Sequence, residues 1–183
     1  MTVKSAERRT RAWLESFVVG LDLCPFARPL LHADNLRIAT SAATGPEDIR
    51  EVFLRELDLL QRSTEQEIAT TLVVYPLALT AFDDYLDFLD EAQALVLAAG
   101  LDDMVQLASF HPDYRFAGED DDGPGNFSNR APYPIIHLLR ENMLTRVLAD
   151  FPEPEQIPLQ NVRRLEALGT ESLKRAWQQL FES

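Results

Sequence analysis

The chain has 183 residues, of which 46% are hydrophobic, and a formal net charge of −13. That length suits one domain with a core large enough to need no metal or disulfide staple. The acidity argues against nucleic-acid binding and against docking on anionic lipid, both of which need clustered Lys and Arg.

Cys24 is the single cysteine, so no intramolecular disulfide can form and a reducing compartment fits. No apolar run approaches the roughly 20 residues that span a bilayer. The basic N-terminus is not followed by a signal-type apolar stretch. Trp13, Phe17 and Leu21 instead fall at helical spacing and read as the first helix of the fold. The expected location is the cytoplasm.

A short helix is predicted over Pro25–His32, with Cys24 at its cap. A thiol there would feel the helix N-terminus and ionise more readily; the alternative is a small buried hydrophobe. Leu36–Thr40 reads as a strand. Glu47–Arg62 is helical, with Pro46 in its first turn, Thr44 as cap candidate and Ile49, Phe53, Leu57 and Leu60 on one face. Thr71–Tyr75 is the second strand. A stripe from Phe82 through Tyr85, Leu89, Ala92 and Val96 predicts the next helix, capped by Thr80 and stopped at Gly100. Met104–Phe110 is the third strand. The expected fold class is therefore α/β: a three-stranded or slightly larger, mainly parallel sheet of βαβαβ units with right-handed crossovers.

The periodicity stops after Phe110. HPDYRFAGEDDDGPGNFSNRAPYP is rich in Pro and Gly, which predicts a long loop over residues 111–133. Such a loop is functional or disordered, and its aromatics Tyr114, Phe116, Phe127 and Tyr133 favour order. Pro134 then opens a predicted helix through Asp150, with Ile136, Leu139, Met143 and Val147 facing the core and Pro152 as its stop. Two more helices are predicted over Pro154–Leu168 and Glu171–Phe181. The organisation expected is a single domain: an N-terminal helical segment to residue 34, a βαβαβ core over 35–110, the loop, and about three C-terminal helices.

In a parallel sheet the C-terminal strand ends share the edge where ligands bind, and the loop leaves from that edge. His111, at a strand end, is an acid/base candidate or a hydrogen-bonded loop histidine. On the predicted helix, His137, Arg140 and Glu141 share a face. Arg115, Arg130 and Arg140 are anion-binding candidates, and Asn126 and Asn129 lie in a Gly–Asn loop able to point donors at an anion. The acidic run Glu119–Asp122 fails the calcium-loop spacing, since Gly118 and Asn129 stand where ligands belong; it reads first as a solvated turn, with a magnesium ion held by one or two carboxylates plus a phosphate ligand as the open alternative.

Leu-Cys-Pro-Phe-Ala, Ser-Phe-His-Pro-Asp-Tyr-Arg-Phe, Gly-Asn-Phe-Ser-Asn-Arg-Ala-Pro-Tyr-Pro and His-Leu-Leu-Arg-Glu together resemble one bacterial family, domain of unknown function 1415. The resemblance covers nearly the whole chain. It implies a bacterial cytosolic protein and brings no activity, cofactor or catalytic residue.

Three readings stay open. One is an enzyme acting on a small anionic metabolite, carrying phosphate or carboxylate, through Arg115, Arg130 and Arg140, with His111 or His137 moving protons and Cys24 as nucleophile or support. Another is a metal site of Cys24, His111 and His137, with or without an acid from the loop. The third is a non-enzymatic binding or adaptor protein.

Overall fold

The computed structural model describes residues 3–149 and 153–182. Helix α1, Val3–Trp13, runs into a π-helical stretch, Leu14–Val19. The wide π turn keeps Trp13, Leu14, Phe17 and Val18 all on the buried side. There follow α2 (Ala27–Leu31), β1 (Leu36–Thr40), α3 (Pro46–Arg62), β2 (Thr70–Val74), α4 (Phe82–Ala98) and β3 (Val105–Phe110). A 3₁₀ turn over Pro124–Ser128 precedes β4 (Ile135–Arg140), which leads directly into α5 (Glu141–Leu148). Helices α6 (Ile157–Leu168) and α7 (Thr170–Glu182) are split by Gly169, whose φ of +75° suits a residue without a side chain.

The strand order is β1-β2-β4-β3. Strands β1 and β2 are parallel neighbours, as the βαβ spacing requires. β4 is inserted antiparallel between β2 and β3. Strands β1 to β3 therefore run the same way, but the sheet is mixed, with one parallel and two antiparallel pairings.

The helix predicted from Pro134 is corrected by this strand. Ile135–Arg140 is IIHLLR, and both of its faces are covered by helices. A central strand of that kind is apolar on both sides and loses the period of two that would mark it. Only Glu141–Leu148 of the predicted helix is helical among the described residues; its expected end at Asp150 and stop at Pro152 lie outside them. The caps expected from Thr44 and Thr80 are Gly45 and Ala81 instead, neither with a side-chain cap bond.

Two cores share the sheet. On one face α3 and α4 bury Ile49, Phe53, Tyr85 and Phe88 against Val73, Tyr75, Ile136 and Leu138. On the other, α1, the π turn, α6 and α7 pack Trp13, Phe17, Leu165 and Leu173 around Leu72, Val74 and Ile135. The strand alternation thus sends His137, beside Leu72 in register, to the second face and Arg140 to the first.

The loop after Phe110 is tied down by its own polar groups. Asn126, fully buried, accepts the Phe116 N–H at 3.0 Å through Oδ1 and donates Nδ2 to the Asp120 carbonyl at 2.9 Å. Phe127 is buried with Phe17 and Trp177. Asn126→Ala strands an amide N–H and a carbonyl and is expected to cost about 2 kcal/mol; chemical denaturation measures it, and an unchanged midpoint would contradict the tie.

Candidate functional site: a cavity on one face of the sheet

The second core is not completely filled. A cavity of about 530 Å³ lies between the sheet and the helices that cover it. Its floor is Leu36, Thr70, Leu72, His137 and Leu139. Trp13, Leu14 and Val18 close one side, with Cys24 and Ala27 next to them. Gly125 and Asn129 from the long loop, with Leu159, Asn161 and Val162 of α6, line it as well. That volume falls within the range of small-molecule pockets, which are mostly apolar with a few placed polar groups. Among the described residues no Lys or Arg lines it, and the only carboxylate on it is the exposed Glu119.

His137 is the chemically distinct group on the floor. Thr70 Oγ1 donates to the Leu138 carbonyl at 2.7 Å and lies 2.6 Å from His137 Nε2. A hydroxyl has one proton and a carbonyl can only accept, so the proton goes to Leu138. The imidazole therefore donates Nε2–H to Thr70, which leaves Nδ1 unprotonated in the neutral ring. Burial pushes the His137 value down to about 4, so the ring is neutral at pH 7.

Cys24 also reaches the cavity. Burial raises its thiol above the usual range, outweighing the Phe26 and Ala27 backbone N–H groups that favour the thiolate. Of the two readings of Cys24, the shift supports the small buried hydrophobe over the helix-activated thiolate. The helix after Cys24 has only five residues, Ala27–Leu31, and the sulfur is desolvated.

The other candidates do not join this site. His111 is fully buried beside Phe82 and Tyr85, away from the cavity. Its Nε2 donates to the Leu79 carbonyl at 3.0 Å, and its Nδ1 accepts the Asp113 N–H at 3.0 Å. Neither ring nitrogen is left for a substrate proton. The ring pins Leu79, whose φ of +56° is a strained conformation for a large side chain.

Arg140 caps the end of α3: Nε donates to the Ile68 carbonyl at 2.9 Å and Nη2 to the Leu60 and Ser63 carbonyls at 2.7 Å. Nε and Nη2 are thus engaged, and the side chain faces the side of the sheet opposite His137. Arg130 lies over the Phe127 ring and donates to the Tyr114 and Asp121 carbonyls; Arg115 pairs with Asp121 at 3.3 Å. These two border a separate polar cleft that also holds Asp83, Asp113, Asp121 and Asp122. Four carboxylates against two guanidiniums make a poor receptor for an anion. The acidic run is a surface turn with Asp122 paired to Lys174 at 3.2 Å.

Asn129 donates to the Ser109 carbonyl at 3.0 Å and takes part in the cavity wall, whereas Asn126 serves the loop alone. Among the described residues no group of three His, Cys, Asp or Glu side chains is placed to hold a metal ion, so Cys24, His111 and His137 do not meet as ligands. No helix among the described residues is long and apolar enough to cross a membrane.

Sequence reasoning missed Thr70, which reads as one more β-former in TTLVV, and the apolar walls, which come from segments far apart in the chain. Its one usable signal is the clustering of unusual residues in Phe110–Arg140, part of which, though not Arg140, lines the cavity.

These features define a mixed α/β protein with a ligand-sized apolar cavity on one face of its sheet. The chain belongs to the family described as protein of unknown function (DUF1415), whose model matches residues 5–175. No curated protein and no solved structure matches it.

Proposed function

We propose that this protein binds a small, predominantly apolar, uncharged molecule in the cavity between the sheet and the α1–α6 layer. The observation that carries the reading is the cavity itself: about 530 Å³, walled mainly by apolar side chains, with no Lys or Arg among the described residues that line it. Burying an anion there would leave its charge unpaired, which costs several kcal/mol. The anionic metabolite expected from the three arginines is therefore replaced by a neutral one.

Binding is favoured over proton transfer. A general base works best with a value near the operating pH, and His137 at about 4 is a weak base at pH 7. A thiol held protonated is likewise a poor nucleophile.

The test uses two fluorescent probes that differ by one sulfonate: neutral N-phenyl-1-naphthylamine and anionic 1-anilinonaphthalene-8-sulfonate. The neutral probe is expected to bind saturably, one per chain, about tenfold or more tighter than the anionic one. Ala27→Trp and Leu139→Trp, which place bulk in the cavity, are expected to weaken it by about 30-fold with the fold retained by circular dichroism. No saturable binding, or binding that both substitutions leave intact, contradicts the reading.

A further inference from the structure

We infer that the cavity selects ligands carrying a neutral hydrogen-bond donor, such as a hydroxyl or N–H on an apolar body, because Thr70 holds His137 in the tautomer that presents a bare Nδ1 lone pair. The inference rests on the cavity reading above and names the chemistry of its occupant.

Three observations combine. The Leu138 carbonyl takes the Thr70 proton at 2.7 Å, which fixes the hydroxyl as acceptor toward Nε2 at 2.6 Å. This relay is built into the sheet: Thr70 pairs with Leu139 and Leu72 with His137, so Thr70 is the diagonal neighbour of the histidine on the same face. Among the described residues Nδ1 has no protein partner within hydrogen-bond distance. The ring itself lines the cavity.

A neutral imidazole has one donor and one acceptor. With the donor spent on Thr70, the ring offers a ligand only an acceptor. A ligand donor satisfies it in apolar surroundings, where a hydrogen bond is worth more than in water. An acceptor-only group such as a ketone or ether oxygen faces lone pair against lone pair. A carboxylate or phosphate is disfavoured by its charge and by the lone pair it would meet at the ring. Thr70 is a positioning residue here, acting through His137.

The experiment compares 1-naphthol with two probes of similar shape, 1-fluoronaphthalene and 1-naphthaldehyde, by isothermal titration. 1-Naphthol is expected to bind about tenfold tighter than either. Thr70→Val keeps the branched shape but removes the relay and lets the ring take either tautomer. The naphthol preference is then expected to fall to about threefold or less, mostly through tighter binding of the aldehyde.

Imidazole ¹⁵N NMR of the native chain reads the tautomer without any ligand and without reliance on the variant. Nε2 is expected at the shift of a protonated ring nitrogen and Nδ1 at that of a bare one. The reverse assignment, an averaged pair of shifts, or a naphthol preference untouched by Thr70→Val overturns the inference while leaving the cavity reading standing. Failure of all three probes to bind removes the cavity reading instead.

Discussion

Between pH 7 and pH 4.5, the native chain is expected to lose about 2.5 kcal/mol more stability than His137→Phe, measured by urea unfolding at both values. The cause is the gap between the ordinary histidine value of 6.5 and the native value of about 4. A group whose native value lies below its unfolded one binds its proton more weakly in the folded chain. As the pH falls below about 6.5, unfolded molecules take up the proton first, and the native state loses ground until about pH 4. Stability from this source is complete above 6.5 and gone below 4. Burial alone supplies the shift, with no carboxylate acting on the ring. His111, also lowered by burial, titrates in the same sense but is present in both chains and cancels. Phe at 137 leaves the Thr70 hydroxyl still bonded to Leu138, so no polar group is orphaned. Equal pH dependence in the two chains would contradict a buried neutral His137.

The second large effect concerns Arg140. Arg140→Met keeps the aliphatic stem and removes the guanidinium from the Ile68, Leu60 and Ser63 carbonyls. Hydrogen bonds to a charged donor are worth more than neutral ones, and the carbonyls are left short of partners. The expected loss is about 3 kcal/mol, on the order of 10 °C in Tm. Arg140→Lys is expected to recover little, since one ammonium cannot reproduce the fork that reaches Ile68 on one side and Leu60 and Ser63 on the other. If Arg140→Met melts with the native chain, the guanidinium is free in solution and the anion-binding role regains its basis.

The contrast between Arg140 and His137 shows where sequence reasoning reaches and where it stops. Strand β1 is legible to the residue, and α3, β2, α4 and β3 to within a residue or two, because each carries a clear period or β-branched run bounded by Gly or Pro. Strand β4 is not legible. Once Pro134 suggests a helix start, Ile136, Leu139, Met143 and Val147 fit helical spacing as well as IIHLLR fits a fully buried strand. That one misreading placed His137 and Arg140 on a shared helix face, whereas the pleat sends them to opposite sides of the sheet.

The candidate site was legible in a different proportion. Cys24, His137 and Asn129 do reach one cavity, and the choice between the two readings of Cys24 is made by burial, which depends on tertiary packing. His111 stands at the strand end that topology favours, yet its ring turns into the α4 layer, where Leu79 and Asp113 use both nitrogens. A cavity is an incomplete packing of Leu72, Trp13, Val18 and Val162, and no local pattern in the chain records what fails to fill a space.

The most direct measurement of the central claim is a methyl NMR titration of the chain with 1-naphthol. The methyls of Leu72, Leu139 and Val162, which line the cavity, are expected to shift in a saturable way. Those of Leu57, Leu60 and Val73, in the core on the other face of the sheet, are expected to stay in place. Shifts confined to exposed residues such as Leu97 and Met104, or no shifts at all, would contradict it.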